Sequence, residues 1–489
     1  MANNYISKTA FLKFEQCHKA FFLYKNHYYL KDKLSVDKQL TFKRGHDVGF
    51  LAQQLFPGGI NVVEKDSNKD NAIAFTKQLI ENKTPVIYEA TFVFNDVLVM
   101  VDILVLTENG YIAYEVKSSL KVSETYIKDA CLQHYVLKNC LSDLIDFFIV
   151  TLNETYVFNG ELNLKNLFKR RSVLKDASRN ETYIQDQISN AKLIIERNVI
   201  PNVEIGKQCT SPYECDFFKT CWKDKITEES IFNLGKVNKD DLFTWYYNGI
   251  KNISDLQKRN DLPRHLKNQV ESQVKKEAHI DVSNIKEILA QIKVPYAAID
   301  MEIWGQAIPV IIGTKPFQKV PFLYTLFSEE GNEHFFFDYE IDDRRKFAES
   351  LITNTQKYQT LLAYDKSLEN MIILELADLF KDLKNELQKV ASKLFDISDI
   401  IQHHFYYHYL FKGNYSLKIV SKVILNEDLF ENENIHTGLE AMNSFISYRA
   451  NSNAIEKEIL KSDLINYCMV DTKATFLITK KFIELTKVE

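Results

Sequence analysis

The chain has 489 residues, of which 45% are hydrophobic, 12% aromatic and 26% charged, with 14 Gly and 9 Pro. This length exceeds one ordinary hydrophobic core and predicts about three modules of roughly 100 to 200 residues, and the composition excludes a disordered or fibrous chain. The net charge of -5 argues against nucleic-acid binding driven by bulk positive charge, although a local basic groove would not show in this total.

The sequence contains no apolar run of about 18 residues, and its first twelve residues lack the apolar core of a signal peptide. We therefore expect a cytoplasmic protein. In a reducing cytosol structural disulfides are not expected, so metal binding or burial must account for the thiols. The seven cysteines are Cys17, Cys131, Cys140, Cys209, Cys215, Cys221 and Cys468.

The first half of the chain reads as helices followed by a mixed α/β region. Residues 1–60 are predicted to be helical, with a second helix from about His46 to Leu55 that ends before Pro57-Gly58-Gly59. Three strands then form a meander, and a helix, a buried strand and a further helix follow it. The predicted bounds are Val86–Phe94, Val97–Leu106 and Tyr111–Lys117 for the meander, then Glu124–Lys138, Phe147–Leu152 and Asn180–Arg197.

The second half restarts the α/β pattern after a connector. Residues 226–284 lack strand signals and predict short helices. Strands are predicted over Ala297–Ile303, Val320–Phe327 and Glu333–Phe337, with helices from there to the end. We therefore expect an α/β protein with three regions, residues 1–225, 226–290 and 291–489.

Two carboxylates and a lysine lie on the predicted meander. Twelve residues separate Asp102 from Glu115-Val116-Lys117, and Glu115 and Lys117 share one face of their strand because side chains alternate with period two. Hydrolysis of a phosphodiester needs carboxylates to hold Mg²⁺ or Mn²⁺ and a cation to stabilise the developing charge. The pattern therefore predicts a metal-dependent hydrolytic site.

This D-x12-ExK arrangement resembles the PD-(D/E)xK nuclease superfamily, and Gln133-His134-Tyr135 resembles the QxxY-like element of its RecB branch. The resemblance covers about residues 1–225 and implies a restriction-endonuclease-like fold that cuts DNA. It implies metal ligation by Asp102 and Glu115, a catalytic Lys117, ligand orientation by Glu89, DNA contact or lysine positioning by Gln133 and Tyr135, and a metal-ligating His46. The gap between Gly45 and His46 is shorter than is usual in that branch.

Three late cysteines are equally spaced, and one early cysteine can complete a set of four. Cys209, Cys215 and Cys221 are separated by gaps of five residues, and Cys17 supplies the fourth thiol. This bracketing resembles the iron-sulfur nucleases of the RecB branch, including AddB and the CRISPR-adaptation exonucleases, and implies a [4Fe-4S] cluster. The wider gaps leave zinc open as the alternative. Cys131, Cys140 and Cys468 are predicted to be small core residues.

A second set of acids lies in the later half. Asp300 and Glu302 share a strand face, and Tyr467 and Asp471 are four residues apart on a helix. With Glu369, these residues resemble the tyrosine subtype of the DEDD 3′-5′ exonucleases, which have a ribonuclease-H-like fold. The resemblance implies Mg²⁺ or Mn²⁺ ligation by Asp300, Glu302, Glu369 and Asp471, with Tyr467 orienting the attacking water.

The second motif of that set departs from the family pattern. The family has Asn, three residues and then Asp, whereas this chain has Asp365 and Glu369. Ligation by Asp365, a contribution from Asp396 or Asp399, and a decayed site all stay open. The stretch Gly413-Asn414-Tyr415-Ser416-Leu417-Lys418 resembles the loop and helix that precede the last motif of such exonucleases.

The order of the two halves also resembles an uncharacterised bacterial family in which a helical linker joins a cysteine-containing RecB-like domain to an exonuclease-like domain. The expected function is a metal-dependent DNA nuclease, exonucleolytic or end-trimming, in repair, recombination or phage and CRISPR-type defence. Helicase or CRISPR-adaptation proteins are the implied partners. The alternative is a non-catalytic scaffold that binds nucleic acid through degenerate nuclease folds.

Overall fold

The computed structural model describes residues 5–65 and 68–487. It divides the chain into two compact units. The first comprises Met1–Lys223 and Gln306–Gln318, and the second comprises Asp224–Gly305 and Lys319–Glu489. Both contain helices and strands, so the predicted mixed α/β class is confirmed. The predicted connector of residues 226–290 lies within the second unit.

The first unit contains seven strands and nine α-helices in the described residues. The strands are β1 (Ile6–Ser7), β2 (Ile60–Asn61), β3 (Val86–Phe94), β4 (Val97–Thr107), β5 (Gly110–Lys117), β6 (Leu144–Leu152) and β7 (Phe168–Ser172). The helices are α1 (Lys8–Gln16), α2 (His18–Asn26), α3 (Val36–Gln53), α4 (Val62–Lys65), α5 (Lys69–Glu81), α6 (Glu124–Cys140), α7 (Leu164–Leu167), α8 (Leu174–Arg197) and α9 (Phe218–Trp222).

The sheet of the first unit is mixed, with strand order β2-β3-β4-β5-β6-β7, and β1 pairs with β4. Strands β3, β4 and β5 are antiparallel neighbours, as the meander predicts, whereas β6 runs parallel to β5. Asn95 and Asp96 both have positive φ, which is the backbone that a tight two-residue hairpin requires. A parallel pair needs a long crossover, and α6 provides it between β5 and β6.

Apolar side chains cover both faces of this sheet. On one face, residues of α1, α5, α6 and α8 pack with the strands in a single buried cluster that includes Phe11, Leu79, Val136 and Ile188. On the other face, Val48 and Ala52 of α3 pack in a second cluster that also holds Ala307. Residues 306–318 therefore contribute to the core of the first unit, although they lie far along the chain.

The second unit contains seven strands and ten α-helices in the part of the chain that the structure describes. The strands are β8 (His279–Ile280), β9 (Tyr296–Trp304), β10 (Val320–Ser328), β11 (Gly331–Phe336), β12 (Thr360–Ala363), β13 (Leu394–Asp396) and β14 (Tyr406–Tyr407). The helices are α10 (Lys239–Tyr247), α11 (Arg264–Lys275), α12 (Val282–Leu289), α13 (Arg344–Thr355), α14 (Ser367–Leu379), α15 (Lys384–Ser392), α16 (Asp399–Gln402), α17 (Leu417–Leu425), α18 (Gly438–Ala450) and α19 (Ala454–Leu485).

The main sheet of the second unit has strand order β11-β10-β9-β12-β13. Strands β9, β10 and β11 form an antiparallel meander, and β12 and β13 continue the sheet in parallel with β9. Helices α13, α14 and α15 bury one face through residues such as Phe347, Ile373 and Leu387. Phe476 of α19 packs with Ala298 and Leu362 in a separate cluster.

Several predicted elements are confirmed, and others need correction. The meander bounds agree to within one residue, but the helix expected at His46–Leu55 begins earlier, at Val36. Only helices were expected after residue 337, yet β12, β13 and β14 lie there, and β8 interrupts the predicted helical connector. All four residues of β12 are buried, so its sequence lacks the polar alternation that marks a half-exposed strand. None of the described helices has the length and apolarity needed to cross a membrane.

Candidate functional site

Three carboxylates lie side by side across the sheet of the first unit, and we call Glu89, Asp102 and Glu115 the carboxylate row. Glu89 on β3 lies opposite Asp102, between the pairs Tyr88↔Ile103 and Ala90↔Val101. Glu115 on β5 is the position after the pair Ile103↔Tyr114 and so adjoins Asp102. The Val116 amide donates to Asp102 Oδ2 at 2.5 Å. Strand pairing therefore brings these acids together.

Two lysines and a further acid surround Glu115, which is 2% exposed. Its Oε1 accepts hydrogen bonds from Lys117 Nζ and Lys8 Nζ, both at 2.7 Å. Lys117 Nζ also donates to Asp129 Oδ2 at 2.6 Å. The other oxygen, Glu115 Oε2, is buried and has no hydrogen-bond partner among the described residues. An unpartnered buried carboxylate oxygen is a ligand atom available to a cation.

Burial and neighbouring charges give the carboxyl groups of this site different pKa values. Burial alone would raise the pKa of Glu115, but the ammonium groups of Lys117 and Lys8 outweigh burial and lower it to about 2. Burial, together with the negative charge of Glu115, raises the pKa of Asp102 to about 8 and that of Glu89 to about 7. Glu115 is thus ionised at neutral pH, while its neighbours hold protons more readily.

The backbone at Glu89 is in the left-handed region, with φ of 54°. A residue with a β-carbon rarely adopts this conformation, and inside a strand it costs free energy that the surrounding structure must supply. Such strain commonly accompanies functional sites. The position of Glu89 opposite Asp102 is consistent with its predicted role in orienting a ligand.

The remaining predicted residues of this site lie in different surroundings. Gln133 is fully buried, and its amide donates to Asp129 Oδ1 at 3.1 Å. Tyr135 packs edge-on against Phe94, 5.6 Å between ring centroids, in the hydrophobic core. His46 lies exposed on α3. Among residues 5–65 and 68–487, His46 does not belong to any group of three potential ligand residues whose ligand atoms all lie within 4.8 Å of one another.

The four predicted cysteines come together and are called the thiol clasp. Cys17 lies between α1 and α2, and all four side chains line one small pocket with Phe217. The Phe217 amide donates to Cys215 Sγ at 3.5 Å. Burial, with smaller contributions from the other three thiols, raises the pKa of Cys215 to about 11, and those contributions reflect the proximity of the four side chains. The clasp consists of Cys17, Cys209, Cys215 and Cys221.

Polar contacts extend the clasp along α1. Lys13 Nζ lies 2.5 Å from Asp216 Oδ2, and the Gln16 amide donates to the carbonyls of Gln208 and Tyr213 at 2.7 and 2.6 Å. At the other end of the same nine-residue helix, Lys8 contacts Glu115. Helix α1 therefore connects the clasp to the carboxylate row.

Four acids of the second unit form a separate group, the acidic cluster, which consists of Asp300, Glu302, Glu369 and Asp471. Asp300 and Glu302 lie on β9, Glu369 in the first turn of α14 and Asp471 on α19. Ligand atoms of Asp300, Glu302 and Cys468 all lie within 4.8 Å of one another. Glu369 Oε2 is buried and lacks a hydrogen-bond partner in the described part of the chain.

The acids of the acidic cluster hold protons because they are buried and because their charges repel one another. Burial and the charge of Glu369 raise the pKa of Asp300 to about 7. Burial, followed by the charge of Asp300, raises the pKa values of Glu302 and Asp471 well above their usual range, and Lys418 offsets only part of each shift. Burial, with smaller contributions from Asp365 and Asp396, raises the pKa of Glu369 to about 7. A bound cation would remove this repulsion.

Tyr467 lies beside the acidic cluster, as predicted. It is 6% exposed, and burial, followed by the charges of Asp471, Glu302 and Asp300, raises the pKa of its hydroxyl. The Lys418 ammonium lies 5.1 Å from the Tyr467 ring centroid and donates to the His436 carbonyl at 2.7 Å. Tyr467 thus faces the acids in its protonated form.

The three alternative acids are engaged in other contacts. Asp365 Oδ1 accepts from the Ser367 hydroxyl at 2.6 Å at the start of α14. Asp396 accepts from the amides of Asp365 and Lys366, each at 3.1 Å. Asp399, the first residue of α16, lies 3.8 Å from the His403 side chain. These contacts favour Glu369 over the three alternatives as the ligand at this position.

Four residues of the two sites were missed in the sequence. Lys8 contacts Glu115 and Asp129 contacts Lys117, the two charged residues of the ExK motif. Cys468 and Lys418 border the acidic cluster. Cys468 is fully buried, as expected, but it contacts Asp300 rather than only apolar side chains. Asp129 lies four residues before Gln133 on α6, so helical spacing offered a signal for it. Lys8 offered none, because 107 residues separate it from Glu115.

Residues 297–416 match the model of a family described as a domain of unknown function (DUF2779). The matched region begins in β9 and includes Asp300, Glu302 and Glu369, but it ends before Lys418 and the helix that carries Asp471. No curated protein matches the chain. The match therefore places part of the second unit in a sequence family without assigning an activity.

Proposed function

We propose that the chain is a metal-dependent DNA nuclease whose principal active centre is the carboxylate row with Lys117. The observation that carries this proposal is the buried, unpartnered Oε2 of Glu115, considered among the described residues, beside Asp102 and within two residues of the lysine. Exonucleolytic cleavage or end-trimming is the proposed mode. Repair, recombination or defence against phages is the proposed setting.

The strand order supports a PD-(D/E)xK fold for the first unit. Helix α5 precedes the antiparallel meander β3-β4-β5. Helix α6 and strand β6 follow the meander, and β6 runs parallel to β5. In this arrangement Asp102 and Glu115 would hold Mg²⁺ or Mn²⁺, which supplies charge neutralisation at the phosphate and a hydroxide at neutral pH. Lys117 would contribute positive charge at the phosphate, held in place by Glu115 and Asp129.

Residues around the metal ligands have positioning roles in this proposal. Lys8 and Lys117 both occupy Oε1 of Glu115, which leaves Oε2 as the oxygen for a cation. Gln133 fixes Asp129 through its amide and so acts on the lysine rather than on the ligands. Tyr135 lies in the core, so neither its ring nor its hydroxyl would contact DNA.

An iron-sulfur cluster is the proposed content of the thiol clasp. Four thiolates suit either a single tetrahedral zinc ion or a [4Fe-4S] cluster, in which each thiolate binds a different iron. A single zinc ion with Zn–S bonds of about 2.3 Å requires sulfur atoms about 3.8 Å apart. Among the described residues no three clasp sulfurs lie within 4.8 Å of one another, which favours the larger cluster. A brown preparation that loses its colour in Cys17→Ser would support it.

A second nuclease centre is proposed at the acidic cluster. The supporting observation is that four buried carboxylates converge from β9, α14 and α19 next to Tyr467, in a sheet of order β11-β10-β9-β12-β13 that suits a ribonuclease-H-like fold. These acids would hold Mg²⁺ or Mn²⁺, and Tyr467 would orient water. The rival function is a scaffold that binds DNA without cutting it.

An end-labelled DNA cleavage assay with Mg²⁺ or Mn²⁺ tests both centres. We expect Glu115→Ala and Lys117→Ala each to lower the principal rate by about 10²–10³-fold, the usual cost of removing one electrostatic group from such a site. Exposed Lys121→Ala and Glu108→Ala are the matched controls. Unchanged cleavage by Glu115→Ala and Lys117→Ala would exclude the carboxylate row as the principal active centre. Tight DNA binding without metal-dependent cleavage would establish the scaffold instead.

A further inference from the structure

Cys468 lies inside the acidic cluster, on α19 immediately after Tyr467. Its Sγ is 3.2 Å from Asp300 Oδ2, 3.5 Å from the Asp300 carbonyl oxygen and 3.3 Å from the Thr325 hydroxyl. The side chain is fully buried. A thiol in this position directly adjoins the carboxylates that the proposed second centre uses.

The distances suit a shared cation. Ligand atoms of Asp300, Glu302 and Cys468 lie within 4.8 Å of one another. In a tetrahedral zinc site with Zn–S of about 2.3 Å and Zn–O of about 2.1 Å, sulfur and oxygen ligands lie about 3.6 Å apart. The 3.2 Å between Cys468 Sγ and Asp300 Oδ2 is close to this value. Small side-chain adjustments would therefore admit the ion.

A separate observation points to a ligand at the same place. The Glu369 side chain is 5% exposed, and its Oε2 has no hydrogen-bond partner in residues 5–65 and 68–487. Its charge raises the pKa values of both Asp300 and Glu302, so this carboxylate lies within electrostatic range of the same group of atoms. Buried polar atoms in folded proteins are generally satisfied, and a cation would satisfy this one.

We propose that the acidic cluster holds a thiophilic divalent cation, zinc, with the Cys468 thiolate as a ligand beside Asp300, Glu302 and Glu369. The inference rests on the second centre being a metal site, and it deepens that assignment by naming the metal. Mg²⁺ prefers oxygen ligands only, whereas zinc is commonly bound by a mixture of thiolate and carboxylate. A sulfur ligand at this position therefore selects zinc over Mg²⁺.

Binding is a ligand exchange without a redox step. The S–H bond of Cys468 breaks, its proton leaves to solvent, and a Zn–S bond forms from the sulfur lone pair. Carboxyl groups that carry protons before binding release them in the same event. Zinc binding should accordingly release one proton fewer in Cys468→Ser than in the unaltered chain.

Cadmium-113 NMR of the full chain tests the ligand set, because the chemical shift reports the ligand atoms of the unaltered protein. We expect one resonance in the range of oxygen-rich sites with a single thiolate, separate from any all-thiolate signal of the thiol clasp. This resonance should disappear in Cys468→Ser and in Asp300→Asn and persist in Cys140→Ser, which alters an exposed thiol of the first unit. Cys468→Ala serves as a second variant, and circular dichroism checks the fold of each.

Calorimetric titration separates the outcomes. We expect Cys468→Ser to weaken zinc binding at least about tenfold, the smaller end of the loss seen even for outer-shell partners, and to leave Mg²⁺ binding unchanged. If Asp300→Asn abolishes the signal while Cys468→Ser and Cys468→Ala keep full zinc affinity, the thiol is only a hydrogen-bond donor and the inference fails. If none of these variants changes metal binding, the second metal centre fails as well.

Discussion

The carboxylate row lies wholly on a β-meander, whereas the acidic cluster combines two acids of β9 with one each from α14 and α19, and among the described residues only the first has lysine ion pairs to its acids. Lys8 and Lys117 each lie 2.7 Å from Glu115, and its pKa falls to about 2. In the acidic cluster Lys418 offsets only part of the repulsion, and the pKa values of Asp300 and Glu369 rise to about 7. Ionisation of Glu115 is thus ensured by the fold, whereas burial and mutual repulsion oppose ionisation of the acidic cluster at neutral pH.

The largest expected effect is that two substitutions, each of which removes one carboxylate charge, change the free energy of unfolding in opposite directions. Glu115→Gln removes one of the two carboxylates that Lys8 and Lys117 share, leaving Asp129, and should destabilise the protein by up to about 3–5 kcal/mol. Asp300→Asn removes a buried charge and its repulsion with Glu369, and should stabilise the protein by up to about 4 kcal/mol above pH 7, since the pKa of Asp300 is about 7 in the fold and about 4 in the unfolded chain. Denaturant unfolding without added divalent cations measures both, with exposed Glu108→Gln as control. Equal effects of the two substitutions would contradict the comparison.

Removing one clasp thiol should loosen the first unit through α1. Cys17→Ser should lower its melting temperature on the order of 10 °C, because a loss of several kcal/mol corresponds to about 2–4 °C per kcal/mol in a domain of this size. Hydrogen exchange should rise in α1 and β5, which Lys8 and Glu115 connect. Cys140→Ser is the matched control. Unchanged exchange at β5 would mean that the clasp and the carboxylate row are independent.

Glu115 of the carboxylate row and the acidic cluster should respond to pH in opposite directions, whereas Asp102 and Glu89, with raised pKa values of about 8 and about 7, follow the direction of the acidic cluster. The pKa of Asp300 and of Glu369 is about 7 in the folded protein and about 4 in the unfolded chain, so the folded state binds more protons between these values. The free energy of unfolding contributed by the acidic cluster therefore falls as pH rises from about 4 to about 7. The contribution of Glu115 is present above about pH 4 and is lost as pH falls toward 2.

Melting curves from pH 2 to 8 measure this dependence without added divalent cations. Asp300→Asn and Glu369→Gln should each flatten the decline between pH 4 and 7. Glu115→Gln should leave the second unit's share of that decline in place and remove the acid-side loss, while lowering the pKa values of Asp102 and Glu89 that the Glu115 charge raises. A decline that survives both second-unit substitutions would assign it to other groups.

The smallest expected effect concerns Lys418. Its ammonium interacts with the Tyr467 ring at 5.1 Å and lowers the pKa values of Glu302 and Asp471, so Lys418→Met should cost about 1 kcal/mol. The hydrogen bond to the His436 carbonyl is lost in the same change. Lys412→Met, at a more exposed lysine, is the control for thermal unfolding. Stabilisation by Lys418→Met would show that this cation does not offset the cluster.

Much of both sites was predictable because local geometry fixes it. Period two on a strand places Glu115 and Lys117 on one face, as it does Asp300 and Glu302, and one helical turn aligns Tyr467 with Asp471. Strand pairing then aligned Asp102 with Glu115, as the meander suggested. Tyr135 was the clearest miss, because an aromatic residue on α6 serves the core as readily as a site.

The sequence by itself determined which residue types can carry the chemistry and on which elements they lie. The tertiary structure decided their partners, because Lys8 reaches Glu115 across 107 residues and Cys468 reaches Asp300 across 168. It also decided that residues 306–318 pack with the first unit and that β12 and β13 complete the second sheet. Fully buried short strands and long-range polar contacts leave no periodic signal in the sequence, since packing rather than local conformation selects them.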